Sequence, residues 1–264
     1  MLQGDGVWGV ATLDNMIYVL RSKSSEQIAV YDADSYRLQR KITIPGLDTS
    51  DDMAVCAYHQ CLYVAGVDDS WIYKVALPDD SVTNWPVNDT TRFLSVTDTH
   101  SVLVTCPKVR KIKEFTTDGE LLRQIQLPRR VVSPHHTIQL SSGEFVVCHG
   151  GCVDPVHRVC LIGSDGRVVK SYGGPKGSGT QQMNVPSQLA VDRNGFVFVA
   201  DINNVRVLLL SPALTFVREV LSLEQLRWTP LRLCFDCDRS RLYVGVNEYK
   251  YDEYSGGRVA VVDV

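Results

Sequence analysis

The sequence lacks long apolar runs, helical periodicity and any complete catalytic motif. No run approaches the roughly 20 apolar residues that a membrane helix needs, so we expect no membrane association. The start, MLQGDGVWGV, has no basic segment followed by an apolar one, so a secretory signal is not expected. Apolar residues at helical spacing are scarce, and only residues 221–228 predict a short helical turn.

A zinc-binding motif is also missing, although the chain has 8 cysteines. Their spacings are irregular, and the single CxxC runs from Cys234 to Cys237. A structural zinc site usually draws its four ligands from two such pairs. We therefore expect free thiols in a reducing compartment, and no cofactor.

Residues 184–212, NVPSQLAVDRNGFVFVADINNVRVLLLSP, show what the chain does contain. The run DRNG at 192–195 predicts a turn, because Asn and Gly tolerate positive φ and Asp can bond its own backbone. The apolar run at 196–200 predicts a strand packed on both faces, with further strands at 187–191, 205–210 and 215–220. Four antiparallel strands with tight connections form one propeller blade, which needs neighbours to bury its faces.

Weaker copies of this pattern recur along the chain. Their second strands are predicted to begin near residues 16, 62, 102, 145, 196 and 242. These spacings suit four-stranded blades. The sequence therefore predicts an all-β fold, a single six-bladed β-propeller of four-stranded antiparallel blades over residues 1–264.

The sixth predicted blade lacks an outer strand at the C-terminus. Because an open sheet edge invites aggregation, we expect residues before Trp8, chiefly 1–4, to pair with the strand at 258–262. That segment is short, so residues upstream of it are expected to complete the closure in a longer protein. The chain is accordingly interpreted as a C-terminal domain.

The stretch 184–212 resembles the NHL repeat. The matching positions are Asn184, Pro186, Ala190, Val191, Asp192, Gly195, Val197, Val199, Ala200, Asp201, Asn204 and Arg206. Val205 follows Asn204 where the naming motif has His. The resemblance implies six blades, with Asp201, Asn204 and Arg206 tying adjacent strands together. NHL propellers form the C-terminal domain of TRIM-type ubiquitin ligases, where they recruit the targets of the ligase. The resemblance therefore implies a cytoplasmic, monomeric, non-catalytic domain. RING and B-box modules are absent from this sequence.

The candidate binding residues lie in the longer predicted loops. Loops between second and third strands share one rim with the blade-to-blade connections, and long loops carry function more often than tight turns. We predict that a protein or peptide partner binds at this rim. The candidate partner-binding residues are Lys108, Arg110, Arg129, Arg130, His135, His149, Trp71, Tyr249, Tyr251 and Tyr254. The three tyrosines fall in a predicted long loop at 247–257, of a composition common at recognition surfaces.

Two other functions fit particular segments. The net charge is −3 overall, but it is −7 over residues 1–105, +4 over 106–170 and 0 over 171–264. The basic segment would suit single-stranded RNA, although Lys111 and Lys113 alternate like the outward side chains of a strand. His135, His136, His149 and His157, with nearby cysteines, would suit a metal-dependent hydrolase or lyase, but they have no recognised ligand spacing.

Overall fold

The computed structural model describes residues 2–21, 27–67, 70–90, 92–250 and 253–264. These residues form six antiparallel sheets of four strands each. The predicted six-bladed β-propeller is therefore confirmed. Helical structure in the described residues is confined to a 3-10 turn, Ile202–Asn204, and to α1, Leu223–Leu226. Neither segment has the length or the apolar character that a membrane-crossing helix requires.

The strands follow the chain in order. The first three blades are β2 (Val7–Leu13), β3 (Met16–Arg21), β4 (Ile28–Asp32) and β5 (Leu38–Ile42); β6 (Ser50–Cys56), β7 (Cys61–Gly66), β8 (Trp71–Ala76) and β9 (Val82–Pro86); and β10 (Phe93–Val96), β11 (Val102–Cys106), β12 (Lys111–Phe115) and β13 (Leu121–Gln126). The fourth and fifth are β14 (Pro134–Gln139), β15 (Phe145–His149), β16 (Val156–Ile162) and β17 (Val168–Pro175); and β18 (Pro186–Val191), β19 (Val197–Asp201), β20 (Arg206–Leu210) and β21 (Phe216–Leu221). The sixth, given from the axis outward, is β22 (Thr229–Asp236), β23 (Arg241–Lys250), β24 (Glu253–Asp263) and β1 (Leu2–Gly4), which comes from the start of the sequence.

The first strand of each blade faces the axis of the ring. Each innermost strand packs against that of the next blade, from β2 through β6, β10, β14 and β18 to β22, which returns to β2. Apolar clusters fill the spaces between adjacent blades. Val197 and Val199 are 1% and 0% exposed in the cluster between the fourth and fifth blades, as the sequence predicts.

The turns of the fifth blade form as their residues dictate. The carboxylate of Asp192 accepts hydrogen bonds from the backbone N–H of Asn194 at 2.9 Å and of Phe196 at 2.8 Å. Gly195 adopts φ +80°, a conformation that side chains disfavour. The tight reversal places β18 and β19 side by side.

The ring closes through both termini, as predicted. Leu2 pairs with Val259, Gln3 with Arg258 and Gly4 with Gly257, so β1 completes the sixth sheet. The guanidinium of Arg21 donates to the carbonyl of Asp5 at 2.7 Å and bridges this strand to the first blade. The side chain of Asn247 bonds both the N–H and the C=O of Val7, at 2.7 and 3.1 Å.

Two expectations from the sequence were wrong. The predicted loop at 247–257 is a hairpin in which β23 and β24 pair as far as Lys250 and Glu253. Its tyrosines have high β-propensity, which favours continued strands. Lys113 does not point to solvent: it is 7% exposed, and its ammonium lies 2.5 Å from Asp89 and 3.0 Å from the Val87 carbonyl. Its partners come from the preceding blade connection, so strand alternation alone could not reveal them.

Candidate functional site

One rim carries the loops between second and third strands together with the blade connections; we call it the upper rim. Between the third and fourth blades its segments lie side by side. The carbonyl of Arg110 accepts from the N–H of Leu127 and from the side chain of Gln126, both at 2.9 Å. The turn at 128–131 follows directly, closed by a 2.9 Å bond from the Val131 N–H to the Pro128 carbonyl. We call Lys108, Arg110, Arg129 and Arg130 on these segments the cationic ridge.

The cations of the ridge lack internal partners. Lys108, Arg129 and Arg130 are exposed, and Arg110 is half-buried. Within the described residues, none of the four has an ion pair, and the buried Nε of Arg110 has no hydrogen-bond partner. A buried N–H without a partner is unfavourable. The ridge therefore presents donors and positive charge that an external anion can satisfy.

Several arginines elsewhere in the molecule are paired with carboxylates. Arg206 lies 2.8 Å from Asp201, Arg241 lies 2.9 Å from Asp263, and Arg239 lies 3.2 Å from Asp236. These cations hold the fold together and have little capacity left for a partner. Exposed Arg218 and Arg227 also have no ion pair among the described residues, so the feature that distinguishes the ridge is the placement of four cations on adjoining rim segments.

Two further cations join this site, and sequence reasoning missed their role. Arg158 in β16 is half-buried, and its buried Nε has no hydrogen-bond partner among the described residues. Lys170 in β17 is exposed. The sequence indicates them only as members of the basic segment 106–170. Their position beside the ridge follows from the strand register of the fourth blade, which the sequence does not reveal.

Of the two predicted site histidines, His149 lies beside Arg130 of the ridge, whereas His135 lies in the innermost strand β14 and contacts the innermost strand β18. His149 is 1% exposed at the end of β15, and its buried Nδ1 has no hydrogen-bond partner in the described chain. Burial, followed by the charge of Arg158, lowers its pKa to about 4. His135 bonds through Nδ1 to the Pro186 carbonyl at 3.1 Å and packs its ring against Phe93.

His157, another histidine of the fourth blade, has a structural role. His157 is fully buried; its Nδ1 accepts from the Val185 N–H at 2.7 Å and its Nε2 donates to the Asp154 carbonyl at 2.9 Å. Both ring nitrogens are thus occupied, so His157 cannot bind a metal without breaking these bonds. Over the described residues, no group of three or more His, Cys, Asp or Glu side chains is arranged to hold a metal ion.

A buried polar cluster links the blades around the channel: Asp52, His136, Gln188 and Arg232. The Asp52 carboxylate accepts from the Leu94 N–H at 3.0 Å and lies 3.6 Å from the Arg232 guanidinium. Arg232 also donates to the Trp8 carbonyl at 2.8 Å, and His136 bonds the Leu94 carbonyl at 2.8 Å. Burial raises the pKa of Asp52 to about 6 and lowers that of His136 to about 4. These contacts tie innermost strands to one another.

The described aromatic candidates belong to the second and sixth blades, not to the blades that carry the ridge. Trp71 begins β8 in the second blade and is half-buried, and Tyr249 is 56% exposed near the end of β23. The backbone of Tyr254 lies in β24, paired with Tyr249. Tyr251, together with residues 22–26 and 68–69 of two predicted rim loops, lies outside the described residues. The described candidate residues therefore belong to several blades.

The Asp201 network is formed as the repeat resemblance implies. Asp201 is fully buried and accepts from the Asn184 N–H at 2.6 Å, from Asn204 at 2.7 Å and from Arg206 at 2.8 Å. Arg206 also donates to the Gln182 carbonyl at 2.8 Å. The network therefore ties β19 to β20 and fixes the connection that enters the fifth blade.

Comparison with known sequences gave no relative. No protein-family model matches the chain, and no curated protein matches it. The NHL likeness consequently remains a resemblance of residue pattern.

Comparison with solved structures supports the fold. Virginiamycin B lyase from Staphylococcus aureus is similar with a TM-score of 0.66 and 10% identity, over 98% of this chain and 84% of that one. A protein of unknown function from Bacteroides thetaiotaomicron has a TM-score of 0.72 and 14% identity, over 98% and 70% of the two chains. A chain of a nidogen/laminin complex has a TM-score of 0.67 and 13% identity, over 86% and 84%. At these identities the likeness concerns the β-propeller fold alone, which both lyases and protein-binding molecules use.

Proposed function

We propose that this propeller is a non-catalytic recruitment domain that binds an acidic protein or peptide at its cationic ridge. The observation that carries the proposal is that Lys108, Arg110, Arg129 and Arg130 lie on adjoining rim segments and have no ion pair among the described residues. Several arginines elsewhere are paired with carboxylates, such as Arg206 with Asp201 and Arg241 with Asp263. Cations gathered at one place attract an oppositely charged partner and accelerate its association.

Two other features agree with this function. All eight cysteines are free, which suits a cytoplasmic domain in a reducing environment. The resemblance to NHL repeats, which occur in target-recruiting domains of TRIM-type ligases, suits a monomeric recruitment domain. In the channel, Asp52 and Arg232 bond to neighbouring strands, which favours a structural role for these two residues over a catalytic one.

A selection from a random peptide library tests the proposal. The wild-type domain should enrich acidic peptides, whose binding should weaken at least about tenfold in a Lys108→Ala, Arg110→Ala, Arg129→Ala, Arg130→Ala variant. The matched control removes four exposed cations elsewhere, Arg167, Arg193, Arg218 and Arg227, and so has the same net charge. It should keep most of the affinity. Equal losses in the two variants would show that only net charge matters and would refute the proposed site.

A random-sequence RNA pool, titrated at two salt concentrations, tests the alternative. We expect weak, unselective binding with a shallow response to the four substitutions in the ridge. Tight binding with a sequence preference, and a salt slope that falls by roughly 0.7 for each phosphate contact removed, would establish RNA as the ligand and overturn the proposal.

A further inference from the structure

A cavity of about 360 Å³ opens beside the cationic ridge, on the side of the fourth blade that faces the third. Arg130 and Val131 border it from the blade connection, and strands β15, β16 and β17 supply the remaining wall. Its polar lining consists of Arg130, His149, Arg158, Cys160, Lys170 and Ser171. The volume is within the range of small-ligand sites.

Strand register explains why these side chains converge. His149 pairs directly with Arg158 across β15 and β16, so their side chains leave the sheet on the same face. Cys160 lies two residues beyond Arg158 and pairs with Ser171 of β17, which places both on that face as well. Residues 22 positions apart in sequence thus form one wall.

The cavity is electropositive. Its lining contains three permanent cations, Arg130, Arg158 and Lys170, and among the described residues that line it there is no carboxylate. Burial raises the pKa of the Cys160 thiol to about 11, and the charges of Arg158 and Arg130, which line the same cavity, oppose that shift. The nearby carboxylate of Asp154 is held by the Gly151 N–H at 2.7 Å.

Two buried nitrogens at the cavity have unused hydrogen-bonding capacity. The Nδ1 of His149 and the Nε of Arg158 have no hydrogen-bond partner among the described residues, and His149 is 1% exposed. The Nε–H of Arg158 is a hydrogen-bond donor that is shielded from water and has no acceptor among the described residues, which is energetically unfavourable. A ligand that accepts from Arg158 and also satisfies His149 would complete the site.

We propose that this cavity binds a phosphate monoester carried on a side chain of the recruited partner. Its oxygens accept from Arg130, Arg158 and Lys170, and such charge-assisted bonds are the strong ones. A phosphate monoester satisfies His149 in either protonation form, because its monoanion carries a P–OH donor as well as acceptors. A carboxylate is acceptor-only at neutral pH and satisfies only a protonated nitrogen.

A phosphorylated protein fits the lining better than RNA does. Single-stranded RNA gains much of its affinity from bases stacked on aromatic rings. Apart from the imidazole of His149, no aromatic ring lines the described wall of the cavity, where Val131, Val168 and Val169 supply the apolar surface. The inference rests on the recruitment function, since it assigns the phosphate to the partner.

The test is a titration of the whole domain, followed by the NMR resonances of arginine Nε–H groups. The probes are a short peptide with one phosphoserine or phosphotyrosine, its unphosphorylated form, its glutamate form and inorganic phosphate. We expect the phosphopeptide to shift the Arg158 resonance and to bind at least about tenfold more tightly than the glutamate form. Arg158→Gln and, separately, the exposed-site variant Arg130→Gln should remove this advantage. Arg167→Gln, on the same blade, is the matched control and should retain it.

Each other result has a definite meaning. Inorganic phosphate that binds as tightly as the phosphopeptide would identify a free-anion site and overturn the assignment to a partner. Equal binding of the phosphorylated and glutamate peptides, with no shift at Arg158, would refute the phosphate pocket; binding of acidic peptides to the cationic ridge would then still stand. Tighter binding of a 5′-phosphorylated RNA than of any phosphopeptide would overturn the choice of partner.

Discussion

Single buried side chains fasten the elements of this propeller. Asp201 accepts three hydrogen bonds, from Asn184, Asn204 and Arg206, although it is fully buried. A buried carboxylate is tolerated only when it is paired and hydrogen-bonded, and removing one member of such a pair leaves the other charge uncompensated. The Asp201 network therefore matters more to stability than its size suggests.

The Asp201→Ala variant should lose about 3 kcal/mol of unfolding free energy, because the Asn184 N–H, Asn204 and half-buried Arg206 would lose their shared acceptor and Arg206 would keep only the more distant Glu219, at 3.8 Å. Arg193→Ala is the comparison, since its ion pair with Asp238 is exposed on both sides and is worth at most about 1 kcal/mol. Urea unfolding with a shared slope measures both changes. Equal effects in the two variants would contradict the role assigned to Asp201.

Val199→Asp should prevent folding to a soluble domain, because Val199 is 0% exposed between two blades. An unpaired charge buried there lowers the free energy of unfolding by several kcal/mol, which is about half the stability of a typical domain. Val217→Asp places the same residue at a 44% exposed strand position and should stay soluble. Soluble yield and thermal melting distinguish the two. A Val199→Asp protein with an unchanged melting temperature would refute the inter-blade packing.

At the scale of elements, the decisive feature is the joining of the termini in one sheet. The pairing of β1 with β24 covers an edge that would otherwise expose unpaired backbone groups. Arg21 and Asn247 reinforce it by bonding the backbone of residues 5 and 7. Closure thus depends on a strand of only three residues, Leu2–Gly4, and on side chains from two blades.

Hydrogen exchange tests this closure. The paired amides of β1 and of Gly257 to Val259 should exchange slowly, because opening them requires the ring to part. The exposed residues Cys152 and Val153 are an internal reference for fast exchange. Exchange of β1 and β24 at the rate of that loop would show that the ring is not closed by these strands.

For the whole molecule, the blade count and strand order could be predicted because each blade carries its own turns and apolar strands. The adjacency of the loop at Arg110 to residues 126–127 also followed, since the intervening strands return the chain to the same rim. The pairing of His149 with Arg158 could not be predicted, because it depends on the register across a loop of irregular residues. The burial of Lys113 escaped notice for a similar reason: Asp89 reaches it from another blade.

Stability of the whole domain should depend on pH through its buried histidines. Burial lowers the pKa of His136 and of His149 to about 4, whereas the pKa of a histidine in the unfolded chain is about 6.5. Between these two pH values the unfolded chain binds protons at both histidines and the folded chain does not. Their contribution is therefore present above pH 6.5 and is lost as the pH falls. Asp52, whose pKa burial raises to about 6, acts in the opposite sense over part of this range.

Because two histidines outweigh one carboxylate, the urea midpoint should be lower at pH 5 than at pH 7. His149→Gln should reduce this difference, whereas His59→Gln at an exposed position should leave it unchanged. An equal or higher midpoint at pH 5 in the wild type would contradict the assignment of neutral, buried imidazoles.

The central claim, that the cationic ridge is the recruitment surface, is tested most directly by mapping a selected acidic peptide onto the arginine Nε–H resonances of the wild-type domain. Resonances of Arg110, Arg129 and Arg130 should move with peptide concentration, because none of the three has an ion pair among the described residues and the last two are exposed. Those of Arg206 and Arg241, held by Asp201 and Asp263, should stay in place. Saturable shifts confined to arginines outside the ridge, such as Arg193 on the opposite rim, would contradict the account.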